Sequence, residues 1–109
     1  SAAADHILQQ AITLEQAGAQ LLVVECIPSA LAKRISEALT IPVIGIGAGA
    51  HTDGQVLVFQ DLLGLSVDFK PKFVRQYLDG RQLLLDAFNT YASDVKSGQF
   101  PAAEESYGQ

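Results

Sequence analysis

Apolar and polar positions recur along this chain with helical spacing in some stretches and as short unbroken runs in others. From Ala2 to Ala17, Ile7, Leu8, Ala11, Ile12 and Leu14 form one stripe at helical spacing, which predicts a helix. Gly18 stands where such a helix stops. The run "QLLVV" that follows is short, apolar and β-branched, the pattern of a strand covered on both faces. In "CIPSALAKRISEAL" the stripe Leu31, Ile35, Leu39 returns to helical spacing, with Lys33, Arg34 and Glu37 left for solvent. Pro42 closes that helix. "VIGIGAGA" reads as a second buried strand running into a glycine-rich turn. "TDGQVLVFQDLLG" predicts a helix capped by Thr52 or Asp53 and ending at Gly64. "LSVDF" reads as a third strand, and "KPKFVRQYL" and "RQLLLDAFNTYASDVKSG" as two further helices. In the last of these, Leu84, Phe88, Tyr91 and Val95 share one face. That stripe reads as core or, in an incomplete chain, as a subunit contact.

Strands alternating with helices predict right-handed βαβ units and an α/β fold with a parallel sheet. The strands fall near 21–24, 43–47 and 65–68. No linker or repeat divides the chain, so 1–109 reads as one partial domain, with 102–109 as a polar tail. A (β/α)8 barrel takes about 250 residues, and this chain has room for fewer than half of those units. It also contains no methionine. Both features are expected of a trimmed product or a piece of something longer.

Charge and composition narrow the function. The chain has 7 Lys and Arg against 12 Asp and Glu, a formal net charge of −5. Nucleic-acid binding needs a basic face, which this balance argues against. No apolar run approaches the ~20 residues of a membrane span. One cysteine, Cys26, forms no internal pair, which suits a reducing, cytoplasmic setting.

Glu25 draws attention because it ends an apolar run. In parallel α/β folds, ligands bind beyond the C-terminal ends of strands. A carboxylate held there and partly removed from water can exchange protons with a substrate. The alternative is an exposed acid opening a loop. The segment Gly45–Ala50 fits G-x-G-x-x-A after a strand, with Asp68 following, so a small nucleotide-binding module is a second reading. A compact turn accounts for the same glycines. Cys26 lacks a cationic setting and reads as a small buried side chain. His6 and His51 have no partners at metal-ligand spacing. Lys70 and Lys72 read as flanking a helix start or touching a partner subunit.

The blocks "ECIP", "IPVIGIGAG", "TDGQ" and "PKFV", in this order and spacing, resemble the ketopantoate hydroxymethyltransferase family. The likeness runs from the first helix to "SGQFPAAEES" and covers only the C-terminal part of the family's length. It implies a (β/α)8 TIM barrel of the phosphoenolpyruvate/pyruvate-binding type. It also implies transfer of a one-carbon unit from 5,10-methylenetetrahydrofolate to 3-methyl-2-oxobutanoate, giving 2-dehydropantoate for pantothenate and coenzyme A. Glu25 matches the family's proton acceptor, and Gly47 and Gly49 match its substrate-proximal loop. The family's Mg2+ ligands belong to the N-terminal half, so no metal ligand is expected in this segment. The segment "LSVDF" departs from the family's more usual glycine-containing form. The resemblance further implies a homo-oligomer, and a chain inactive without its other half. A non-catalytic association fragment is the remaining reading.

Overall fold

The computed structural model describes residues 1–108. They divide into two compact units. The first comprises Ser1–Val58 with Pro71–Val74, and the second Phe59–Lys70 with Arg75 onward.

The first unit follows the hydrophobic pattern closely. Helix α1 (Ala2–Gln16) starts at Ser1, whose hydroxyl accepts from the Ala4 amide at 3.2 Å. Strand β1 (Leu22–Glu25) and helix α2 (Ser29–Ala38) come next, then strand β2 (Val43–Ile46). β1 and β2 pair in parallel, Leu22 opposite Val43 and Glu25 opposite Ile46. Leu22 and Val24 share one face with Val43 and pack under Ala11, Leu31, Ala32, Ile35 and Leu39. Ile35 and Val43 are fully enclosed. The stripe Leu31, Ile35, Leu39 is therefore the buried face of α2, as its spacing requires, and Lys33, Arg34 and Glu37 are exposed.

The third strand is not where the sequence pattern places it. Strand β3 is Gly54–Gln55, parallel to β2 with Ile44 opposite Gly54. This segment reads as helix from its letters, yet Asp53 does not cap a helix. Its amide donates to the Val43 carbonyl at 2.9 Å, and its carboxylate accepts from the Val43 amide at 2.8 Å. Val56 extends the ladder by donating to Gly45. Asp, Val and Thr are weak helix formers, and a side chain that satisfies a neighbouring strand outcompetes the helix. The connection 47–53 returns the chain by about three strand rises, roughly 10 Å, without a crossover helix.

In the second unit, α3 is one turn (Phe59–Leu62) and α4 is long (Gly80–Ser97), started by Asp79 and ended at Gly98. Residues 65–68 form no strand: the Leu65 amide turns back to the Gln60 carbonyl at 2.8 Å and closes α3. Residues 70–78 form no helix either. Their amides are drawn to other partners, Val74 to Pro71 and Tyr77 to Leu62. Leu84, Phe88, Tyr91 and Val95 are helical as read but exposed, so they are not core within this chain. The tail carries one 3-10 turn, Ala103–Glu105. Among the described residues no helix is long and apolar enough to cross a membrane.

Candidate functional site at the strand ends

The site belongs to the first unit and is built where β1 and β2 end. Side chains alternate across β1: Val24 enters the core, while Val23 and Glu25 stay exposed. Glu25 therefore lies on the sheet face opposite the helices, level with Ile46. This chain does not remove its carboxylate from water, contrary to the sequence expectation. The physical reason is the pairing order β1-β2-β3, which leaves β1 at the edge of the sheet. The Leu22 and Cys26 amides donate to β2, at Pro42 and Ile46. Strand alternation therefore turns the Val23 and Glu25 backbone groups to the open edge. Beside that edge lies a cavity of about 230 Å³ bordered by Ile7, Leu14, Val23 and Glu25.

Cys26 follows directly and is not buried; its thiol is free and exposed. Its φ of 54° puts it in the left-handed region, which residues with a side chain seldom enter. The chain then turns through Pro28 into α2. Across from it, Gly47 and Gly49 have φ of 66° and 81°. They have no room for a side chain. A Cβ on Gly47 would lie 2.9 Å from the Phe73 ring, and one on Gly49 would overlap Ser29. These glycines let the chain leave β2 and fold against the start of α2.

An open cavity of about 1100 Å³ lies over this turn, bordered by Cys26, Ser29, Gly47, Gly49, Gln55, Lys72 and Phe73 among others. Its wall is held by Gln55, whose amide nitrogen donates to the Gly49 carbonyl at 2.8 Å and to the Thr52 hydroxyl at 3.1 Å. Thr52 in turn donates to the Gly54 carbonyl at 2.8 Å. Gly47 and Gly49 both border this cavity. Glu25 adjoins it through Cys26 but borders the edge cavity instead. Lys72 and Phe73 arrive from a segment that the sequence pattern places in a helix. Their signal was available only as the "PKFV" block, and that of Gln55 only as "TDGQ".

The nucleotide-binding constellation is not assembled. Gly45 is inside β2, and the turn leads to β3, so the helix start that a dinucleotide fingerprint needs is absent there. Asp68 ends no strand. Among the described residues, no three His, Cys, Asp or Glu side chains converge in a way that could hold a metal ion.

Comparison with known proteins settles the lineage of this arrangement. A family model described as ketopantoate hydroxymethyltransferase matches residues 1–103. The chain belongs to that family. Among its relatives is the 3-methyl-2-oxobutanoate hydroxymethyltransferase of Idiomarina loihiensis, 59% identical over 95% of this chain and 39% of the relative. The protein of the same name from Sodalis glossinidius is 56% identical over 95% of this chain and 40% of its own length. That from Francisella tularensis is 54% identical over 96% and 40%. The chain thus spans about two fifths of the length of these ketopantoate hydroxymethyltransferase relatives. Glu25, the glycine turn and the Lys72–Phe73 segment all fall within the family match.

Proposed function

We propose that this chain forms the C-terminal part of a (β/α)8 barrel hydroxymethyltransferase and supplies its general base. The reaction converts 3-methyl-2-oxobutanoate, 5,10-methylenetetrahydrofolate and water to 2-dehydropantoate and tetrahydrofolate, a step toward pantothenate and coenzyme A. The observation that carries the role of Glu25 is its place at the C-terminal end of a parallel strand, with no salt bridge or side-chain hydrogen bond among the described residues. A carboxylate so placed is free to accept the C3 proton of the keto acid. The C–H electron pair then moves into the enolate, whose C3 attacks the one-carbon unit.

Magnesium does not fit the described residues of this chain, because no acidic or histidine cluster among them offers a ligand set. Its ligands are assigned to the N-terminal half of the barrel. Gly47 and Gly49 shape the wall that the substrate meets. The open edge of β1 receives the N-terminal half, and the 109-residue chain by itself is inactive. The complete protein works in the cytoplasm as a homo-oligomer.

The test is Glu25→Gln in the complete transferase. The expected result is a fall in kcat of about 10²–10⁴-fold, with substrate affinity little changed. Turnover at the parent rate would remove Glu25 from the reaction.

A further inference from the structure

Glu25 stands at the end of an edge strand, where nothing on its own strand holds it after the ladder stops. Three residues from three separate segments meet immediately beyond it. The Cys26 amide donates to the Ile46 carbonyl at 2.9 Å, which anchors the peptide joining Glu25 to Cys26. Cys26 then adopts its φ of 54°. Its sulfur lies 3.3 Å from where a Cβ on Gly47 would be, and Phe73 Cδ1 lies 2.9 Å from the same point. The Phe73 ring therefore rests on the bare α-carbon of Gly47, beside the Cys26 thiol. Segment Pro71–Val74 packs with the first unit although its flanking residues belong to the second, and Val74 beside Phe73 is buried. The ring is thus brought in from far along the chain, and it remains 38% exposed.

We infer that Gly47, Phe73 and Cys26 are positioning residues that lock the turn after β1 and so fix the direction of the Glu25 carboxylate. The inference rests on the reading of Glu25 as the base. The ladder bond and the left-handed Cys26 define the backbone on both sides of the Glu25–Cys26 peptide. A relaxed, extended Cys26 would carry its side chain and the start of α2 elsewhere. The absence of a side chain at Gly47 lets the ring close onto the turn, and the ring bars the space through which the turn would relax. A base must sit within hydrogen-bond reach of the proton it takes, so a displacement of about 1 Å is enough to lower the rate up to about a hundredfold. The three residues touch no proton themselves.

The experiment is solvent deuterium exchange at C3 of 3-methyl-2-oxobutanoate by the complete transferase, followed by NMR, with kcat and KM measured in parallel. Gly47→Ala pushes a methyl group against the ring and is expected to slow exchange and kcat together by about ten- to a hundredfold. Adding Phe73→Leu vacates the contested space and should recover part of that loss. Cys26→Gly accepts the left-handed backbone without strain and keeps the fold testable if Gly47→Ala does not accumulate. It frees the turn and should slow exchange severalfold, with KM unchanged. Glu25→Gln separates the two levels. If it leaves exchange intact, the base assignment fails, and the positioning role with it. If it abolishes exchange while Cys26→Gly and Gly47→Ala exchange at the parent rate, the base stands and the lock is wrong. A rise in KM without loss of exchange in Cys26→Gly would also overturn the lock.

Discussion

The two units differ in what encloses their apolar side chains. Every buried apolar residue from Ala11 to Ile46, with Ala48 and Val74, belongs to the first unit. There, α1 and α2 cover one face of a parallel pair and close a core around Ile35 and Val43. In the second unit the apolar residues are as regularly spaced, but Leu84, Phe88, Tyr91 and Val95 remain exposed on α4. Among the described residues Tyr91 meets only Phe100 as an aromatic partner, edge-on at 5.6 Å between ring centres. An amphipathic stripe specifies that a helix has a face to cover; it does not specify what covers it. The first unit contains its own cover within the chain. The chain's span of two fifths of its relatives suits a second unit that does not.

The largest expected effect breaks or confirms that contrast directly. Ile35→Ala should cost about 2–5 kcal/mol in urea unfolding of the 109-residue chain, because it opens a cavity in an enclosed core. Phe88→Ala, at a position 64% exposed, should change stability by no more than about 0.5 kcal/mol in the same chain. Equal losses at the two positions would show that α4 has a cover after all.

A smaller effect sharpens the picture of the first unit. Glu15, near the end of α1, accepts from the Thr40 amide at 2.7 Å, the Thr40 hydroxyl at 3.0 Å and the Ile41 amide at 3.0 Å. These bonds, led by the Ile41 and Thr40 amides, hold its pKa below the ordinary 4.5. A depressed carboxylate pKa stabilises the fold above the unfolded value, and this contribution is lost as pH falls through the folded one. Glu15→Gln should therefore lower the Tm at pH 7, and the gap between variant and parent should close in acid. A gap that widens as pH drops below 4.5 would mean that the charge is not what joins α1 to the turn before β2.

The smallest effect concerns Asp5 and Arg34, paired at 3.0 Å across α1 and α2 with both side chains largely in solvent. A double-mutant cycle should return no more than about 0.5 kcal/mol. A larger coupling would mean that surface charge, rather than the buried stripe, orients the two helices.

Sequence reading was strongest where an element's local pattern and its tertiary partner agree. α1, β1, α2, β2 and α4 lie within a few residues of their expected bounds. Each combines a clear period with a clear stop. It was weakest from Thr52 to Leu78, where short apolar runs fit helix or strand equally. There Asp53 bonded across to Val43, and "KPKF" became the carrier of a ring for the strand ends. At the candidate site, the place of Glu25 at the end of an apolar run was legible from position, while Gly47 and Gly49 were singled out by the family resemblance. The exposure of Glu25 and Cys26 was not, because burial beside an edge strand depends on what lies across that edge.

The sequence by itself determined the alternation of helices and strands, the buried stripe of α2 and a carboxylate at a strand end. Period and spacing are local properties, and the chain carries them wherever it folds. Only the tertiary structure decided that β3 is Gly54–Gln55, that Cys26 turns left-handed, and that Phe73 rests on Gly47. Those outcomes join residues distant in sequence. They follow from which backbone amides and bare α-carbons come within contact distance once the core around Ile35 and Val43 has closed.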